Sequence, residues 1–367
     1  MSPGPSILKW AEVDLDAIAF NIGQVQRAIG PDSRLLAVVK ADAYGHGVGP
    51  VAVTALKSGS WGLAVSTLEE AIPLRGLCPP DRTLIMGGLS PDQASVAAEL
   101  GCAVTCSTFE LAAALERSAS RRPIPVHLKV DTGMGRHGCR PDAAAALAKL
   151  IADSNHLRLA GVMTHFAQAE ADGGFTQHQF EVFQAVIAGL GIDPGVRHAC
   201  NSAAALRFPE MAMDVVRAGI ALYGCEWQTL RPALALRSRL VQVKEIEAGG
   251  SVGYGRTWVA PGSTLVGLVP IGYADGVHRA RSGKGWTLVG GKRAPLLGRV
   301  SMDTIAVDLT EVANPCIGDV VTLIGADGEE EISAEQVGAW SGTVSYEVVT
   351  SIGPRVERHY RKGGGYL

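Results

Sequence analysis

The feature that most constrains this chain is an alternation. Between residues 35 and 219, eight short runs rich in valine, isoleucine and leucine are separated by stretches with helical spacing. The runs are LLAVVK (35–40), WGLAV (61–65), TLIMG (83–87), CAVTC (102–106), IPVHLKV (124–130), LAGVMTH (159–165), VRHAC (196–200) and MDVVRAG (213–219). Most are apolar along nearly their whole length, as strands covered on both faces are. Helix starts fall between several of them. STLE (66–69) and STFE (107–110) have the spacing of S-x-x-E capping boxes, and the run 175–191 ends at glycine. Eight β-then-α units predict a closed (β/α)8 TIM-type barrel, with a doubly wound open sheet as the competitor that counting leaves open. Near residue 235 the pattern changes to strand-like runs with Gly-rich turns and few helical stretches. This predicts two domains, a barrel over 1–235 and a mostly β domain over 236–367.

Composition narrows the function class. The chain has 367 residues, is 47% apolar and 19% charged, and carries a net charge of −3. That balance leaves no electrostatic footprint for nucleic acid or for an acidic membrane surface. The first twenty residues lack the apolar core of a signal peptide, and no run approaches a membrane span in length, so a cytoplasmic protein is expected. The seven cysteines form no C-x-x-C pair, and reduced thiols are the plainer reading. The nine histidines show no H-x-x-x-H or H-E-x-x-H spacing, so no metal is expected.

In a barrel the chemistry gathers at the C-terminal ends of the strands. Here those ends carry Lys40, Lys129 followed by Arg136, His165, Asn201-Ser202, and Arg217 followed by Gly219-Ile220. One polar strand end means little, but five on the same rim form a pattern. The last two barrel loops are common phosphate sites, and Ser202 and Gly219 lie there. Tyr44 and its neighbouring glycines could close such a site. A lysine in a barrel mouth is costly to bury charged, so its pKa should fall. A neutral amine facing a phosphorylated aldehyde forms an imine, which is how pyridoxal phosphate is held. One competing motif is Gly133-x-Gly135-x-x-Gly138 after the strand-like PVHLKVD, the written form of a dinucleotide loop. Alone it is a weak signal, and it does not follow the first strand of the alternation.

The stretch AVVKADAYGHG (37–47) resembles the cofactor-lysine motif of alanine racemases, the fold-type III pyridoxal phosphate enzymes. The likeness continues through WAEVDLDAIAFNI (10–22), LKVDTGMGRHG (128–138), THFAQAE (164–170), NSAA (201–204), VRAGIALYG (216–224), VGYGRTW (252–258), GYADG (272–276) and RVSMD (299–303). The resemblance implies that Lys40 bonds to the cofactor and acts as one base in the interconversion of L- and D-alanine. It implies a second base in Tyr273, reaching with Met302 from the partner subunit of a homodimer. Tyr44, Ser202, Gly219, Ile220 and Tyr346 would hold the phosphate, with Asn201 beside Ser202. Arg217 would face the pyridine nitrogen, and His165 would lie against the ring. Arg136 would reach the substrate carboxylate, oriented by Lys129 if that lysine is carbamylated. Asp303 would order its loop, Asp42 is expected to be structural, and Tyr223 and Tyr254 to be supporting. His46, His137 and His178 are expected on the surface. Arg217 argues against the decarboxylases of the same fold, where an acidic residue faces the ring. Val277-His278 replaces the aromatic and proline of many relatives, which leaves open a racemase of different or broader substrate range. A non-catalytic cofactor carrier is the reading from another class, and the β domain speaks against it.

Overall fold

The computed structural model describes residue 4, residues 6–118 and residues 122–367; residues 1–3 and 5, the start of the N-terminal stretch read above, lie outside them. The chain forms two compact units. One comprises the described residues of Ala19–Ala43 and Val48–Leu222, and the other those of Met1–Ile18, Tyr44–Gly47 and Tyr223–Leu367.

Strand β1 (Lys9–Asp14) belongs to the second unit. The eight barrel strands are β2 (Arg34–Val38), β3 (Gly62–Val65), β4 (Thr83–Ile85), β5 (Ala103–Cys106), β6 (Ile124–Lys129), β7 (Leu157–Met163), β8 (Val196–His198) and β9 (Val215–Ala218). They pair in parallel in the order β8-β7-β6-β5-β4-β3-β2-β9. Each falls on a run expected from the sequence. The pairing of β2 with β9, first with last, is what an open sheet lacks, so the competitor is excluded. The remaining seam, β8 to β9, is closed by the Arg217 N–H on the Cys200 carbonyl at 3.1 Å. A bidentate Arg197–Asp214 pair, at 2.8 and 2.9 Å, closes it from the side. Strands β3 to β6 are buried at every residue, which accounts for their unbroken apolar lettering.

Two helix starts differ by one residue from the expected boxes. Thr67, not Ser66, caps Leu68–Ala71 with Glu70 as its reciprocal partner, and Thr108, not Ser107, caps Phe109–Arg117. Threonine caps through the same kind of hydroxyl as serine, though somewhat less favourably, and the register of the buried leucines selects the threonines.

The second unit holds an 11-stranded, mostly antiparallel sheet. Here the N-terminal segment departs from the 1–235 boundary. Strand β1 pairs antiparallel with β10 (Leu234–Arg239) and parallel with the strand Glu357–Lys362. Its partners stand more than two hundred residues away, beyond the reach of local patterning. No helix among the described residues is long and apolar enough to cross a membrane.

Candidate active site

Lys40 follows β2 and opens a turn of unusual handedness. Ala41, Asp42 and Ala43 all have φ near +52° and ψ near +50°, and Tyr44 has φ +54°. Left-handed geometry costs an L-residue about 1–2 kcal/mol each, so four in succession must be held from outside. Glu70 accepts the Ala41 N–H at 2.7 Å, and its other oxygen takes the N–H groups of Ser66 and Thr67. Asp42 accepts the Val48 N–H at 2.7 Å, which is the structural role expected of it. Burial, followed by the charge of Arg136, holds the Lys40 pKa below its ordinary value, while Glu70 opposes the shift.

Lys129, at the end of β6, is 7% exposed, and its ammonium reaches the Met86 carbonyl at 3.4 Å. Burial first, then Arg217, Arg136 and Lys40, push its pKa down to about 8. Arg136 stands exposed in the following loop. Asp131 pins that loop by accepting from Gly133 and Gly135 at 2.9 and 3.1 Å. The three glycines of the would-be dinucleotide fingerprint have φ of +136°, +67° and +144°. A Cβ on Gly138 would lie 2.4 Å from the Asp131 nitrogen. They build a tight turn, and strand β6 is fifth in barrel order, so the fingerprint reading fails.

Arg217, on β9, is 3% exposed and its guanidinium is fully engaged at both Nη atoms. Nη1 donates to His198 Nδ1 at 2.8 Å and to the His198 carbonyl at 3.0 Å. Nη2 donates to the carbonyls of Thr164 and Ala199 at 2.7 and 2.9 Å, with His165 Nδ1 at 3.4 Å. Because arginine only donates, His198 Nδ1 accepts and carries its proton on Nε2. That proton is donated to His127 Nδ1 at 2.8 Å. Burial, then the Arg217 charge, pushes His127 down to about 3 and holds His198 and His165 well below the ordinary value. Two neutral imidazoles, His198 and His165, thus meet an arginine whose own pKa burial lowers to about 10, and a third, His127, stands behind His198. Gly161 makes room beneath them, since a Cβ there would meet His127 Nδ1 at 2.7 Å.

Buried Gln179 ties two rim loops together. Its oxygen accepts the Ala167 N–H at 2.9 Å, and its amide donates to the His165 carbonyl at 3.2 Å and to Thr132 Oγ1 at 3.4 Å. Ser202 Oγ accepts the N–H groups of Gly219 and Ala221 at 2.9 and 3.3 Å, where Ile220 begins a short 3-10 turn. Asn201 caps the helix Ser202–Arg207 through the Ala204 N–H at 3.0 Å and so fixes Ser202.

The other expected residues lie in the second unit. The ring of Tyr44 is 4.9 Å from that of Tyr223 and 6.4 Å from that of Tyr346. His46 is a correction: it is buried, bonded through Nδ1 to the Tyr44 carbonyl at 2.9 Å and packed 4.5 Å from the Tyr223 ring. Its short glycine-flanked setting looked like surface, and its tertiary contacts make it core. His137 and His178 are exposed as expected. The side chains of Tyr273 and Met302 are 42% and 52% exposed, and Tyr254 is 71% exposed. Sequence reasoning missed Glu70, His127, Gln179 and His198. Of these only Glu70 had a local signal, the T-x-x-E spacing from Thr67.

The barrel is of the (β/α)8 class, with Lys40, Lys129 and Arg217 at its strand ends and Arg136 in the loop after β6. The sequence matches the alanine racemase N-terminal domain over residues 13–226 and the alanine racemase C-terminal domain over residues 233–360. Alanine racemase from Halothermothrix orenii is 40% identical, covering 97% of this chain and 98% of that protein. The one from Desulforamulus reducens is 43% identical over 96% and 98%. Among solved structures, alanine racemase from Bacillus anthracis with bound L-Ala-P superposes with a TM-score of 0.92 at 36% identity, covering 100% of this chain and 98% of that one. The enzyme from D-cycloserine-producing Streptomyces lavendulae gives 0.90 at 37%, covering 99% and 98%. The chain belongs to the alanine racemase family.

Proposed function

We propose that this protein interconverts L-alanine and D-alanine with pyridoxal 5'-phosphate as cofactor, as a homodimer in which each site is completed by the partner. The observation that carries the reading is Lys40 placed just after β2 on the rim of a barrel whose sequence matches this family over residues 13–226. The donor set suits the cofactor: a desolvated amine for an aldehyde, the Ser202 hydroxyl for a phosphate, its oxygen taken by the Gly219 and Ala221 N–H groups and its proton left to donate, and a buried arginine for a ring nitrogen. Lys40 would hold it covalently. Ser202, Gly219, Ile220, Tyr44 and Tyr346 would hold its phosphate, and Asn201 would keep Ser202 in place. Bound, the pyridoxal group supplies an electron sink that makes the α-proton of a joined amino acid removable.

The residues of the chain do the rest. Arg217 cannot surrender its proton at neutral pH, so through Nε, the donor absent from its contacts to carbonyls and histidines, it can only donate. The neutral His198 and His127 beneath it accept without adding charge. His165 would lie beside the ring, held neutral by burial first and then by the same cations. Arg136 would bind the substrate carboxylate as a bidentate fork. Lys129, an amine near pKa 8 among three cations, is suited to add to carbon dioxide, losing a proton to give a carbamate anion. That anion would replace a repelled cation by a partner for Arg136.

Inversion needs one base per face. Tyr273 of the partner subunit would take the α-proton of L-alanine while Lys40 returns one to the opposite face, and the roles reverse for D-alanine. The exposure of Tyr273, Met302 and Tyr254 supports a partner at that surface. Residues 236–367 would then serve chiefly to present Tyr273 and Met302, with Asp303 ordering the loop through Arg355 at 2.7 Å. A broader substrate range is the second reading. Val277, however, is 3% exposed and His278 is bonded to Ser351 at 3.0 Å, so neither side chain is free to line an entrance.

Incubation with L-alanine in D₂O tests the proposal. D-alanine carrying α-deuterium is expected. Absence of D-alanine would exclude alanine racemisation, and exchange into L-alanine alone would leave a single base.

A further inference from the structure

We infer that Asp275 is a positioning residue: its buried carboxylate, clamped by Lys9 and Arg355, sets where Tyr273 stands. The inference rests on the role proposed for Tyr273.

The side chain of Tyr273 is 42% exposed, so side-chain packing alone does not fix it. Its backbone is held from both sides. The Tyr273 N–H donates to the Ser301 carbonyl at 3.0 Å and the Ala274 N–H to the Met302 carbonyl at 3.0 Å, so the two loops form one body. A Cβ on Gly272 would lie 2.3 Å from the Ser301 oxygen, which is why glycine precedes the tyrosine.

Asp275 anchors that body. Its side chain is 0% exposed, and Oδ1 takes Lys9 Nζ at 2.8 Å and Arg355 Nε at 3.0 Å. Oδ2 closes the turn on the Gly272 N–H at 3.0 Å. The Asp275 carbonyl accepts the Gly353 N–H at 3.2 Å. Arg355 spans to the second loop by donating from Nη2 to Asp303 at 2.7 Å, one residue after Met302. Two cations and two carboxylates thus tie strand β1, the Tyr273 turn, the Met302 turn and the segment 351–355. A buried carboxylate with two cations is costly to break by removing one member, because the remaining charges lose their partner. Lys9 and Arg355 would then pull toward solvent, and the turn would lose the bond that orients the residue after Gly272. A base displaced by about 1 Å from its proton path loses roughly a hundredfold in rate.

The test separates positioning from mere support of the fold. Holoenzyme is given D-alanine in D₂O, and two initial rates are read: deuterium entering D-alanine and L-alanine formed. Lys40 alone can exchange the proton on its own face, whereas inversion also needs Tyr273. Asp275→Asn is therefore expected to lower L-alanine formation by about a hundredfold while exchange into D-alanine persists, raising the ratio of the two as Tyr273→Phe does. Arg355→Gln, at a half-exposed site that tolerates change, is expected to move the ratio in the same direction by less. Amide exchange read by mass spectrometry should accelerate over 272–275 and 301–303 and stay unchanged in the barrel strands. A proportional fall of both rates in Asp275→Asn and Arg355→Gln, with the ratio kept, would overturn the positioning role. An unchanged ratio in Tyr273→Phe would instead overturn the base assignment, and with it the reason for holding the loop.

Discussion

Lys129→Met offers the most quantitative handle on the rim. Lys129 falls from an ordinary value of 10.5 to about 8, chiefly through burial and secondarily through three nearby cations. The folded-state pKa is depressed, so between pH 8 and 10.5 the unfolded chain holds this proton more tightly than the folded one. Stability contributed by the residue is therefore missing below pH 8 and returns as pH rises through that window. The full size of the effect is roughly 3 kcal/mol. Methionine has similar length and no charge to desolvate. The assay is urea unfolding of wild type and Lys129→Met at equal protein concentration, in buffers stripped of carbon dioxide, from pH 7 to pH 10. Methionine adds a constant packing difference, so the pH-dependent part of the gap carries the signal. The variant should gain on wild type by roughly 3 kcal/mol at pH 7, with most of that gain gone by pH 10. Carbon dioxide should stabilise wild type and leave the variant unmoved, because only an amine can form the carbamate. A gap that stays constant with pH would refute the burial argument, and equal responses to carbon dioxide would refute carbamylation.

Lys40→Ala should abolish the near-visible absorbance of protein-bound cofactor after gel filtration; a retained band would place the covalent attachment elsewhere. Arg217→Lys cannot serve His198 and the carbonyls of Thr164 and Ala199 with one ammonium, and leaving buried acceptors unmet should cost about 3 kcal/mol, read as a lower unfolding midpoint and weaker cofactor binding. Gln179→Leu keeps the volume but strands the Ala167 N–H and the His165 carbonyl at about 1–3 kcal/mol each; KM for alanine should rise more than kcat falls, and wild-type kinetics with wild-type stability would show that the two loops hold themselves.

The barrel was legible because its strands are buried on both faces and so spell unbroken apolar runs. The positions of Lys40, Lys129, His165 and Arg217 were legible as polar endings to those runs. Their supports were not. His198 and His127 lie in strand lettering like any other core residue, and only the tertiary fold aligns Arg217, His198 and His127 into one hydrogen-bonded line. Gln179 reads as the polar face of a helix, yet it is buried because two loops fold over it. Strand β1 was not read from the sequence: its partners Leu234–Ser238 and Glu357–Arg361 lie more than two hundred residues away, and pairing register is not written locally. The glycine fingerprint was ambiguous for a related reason: glycine spacing records a need for positive φ, and any tight turn has that need as much as a pyrophosphate loop does.

The seam between β8 and β9 has a bearing on how the empty and loaded protein would breathe. The residue whose amide closes that seam, Arg217, is also the one proposed to face the cofactor ring. Anything that grips the guanidinium from the rim therefore tightens the stave at which the barrel is hooped by its fewest backbone bonds. On that proposed contact, loading the site and hooping the barrel would be one thermodynamic event, so the Arg217 amide should exchange with solvent faster in the empty protein than in the loaded one, reporting occupancy from a position that never touches the reacting carbon.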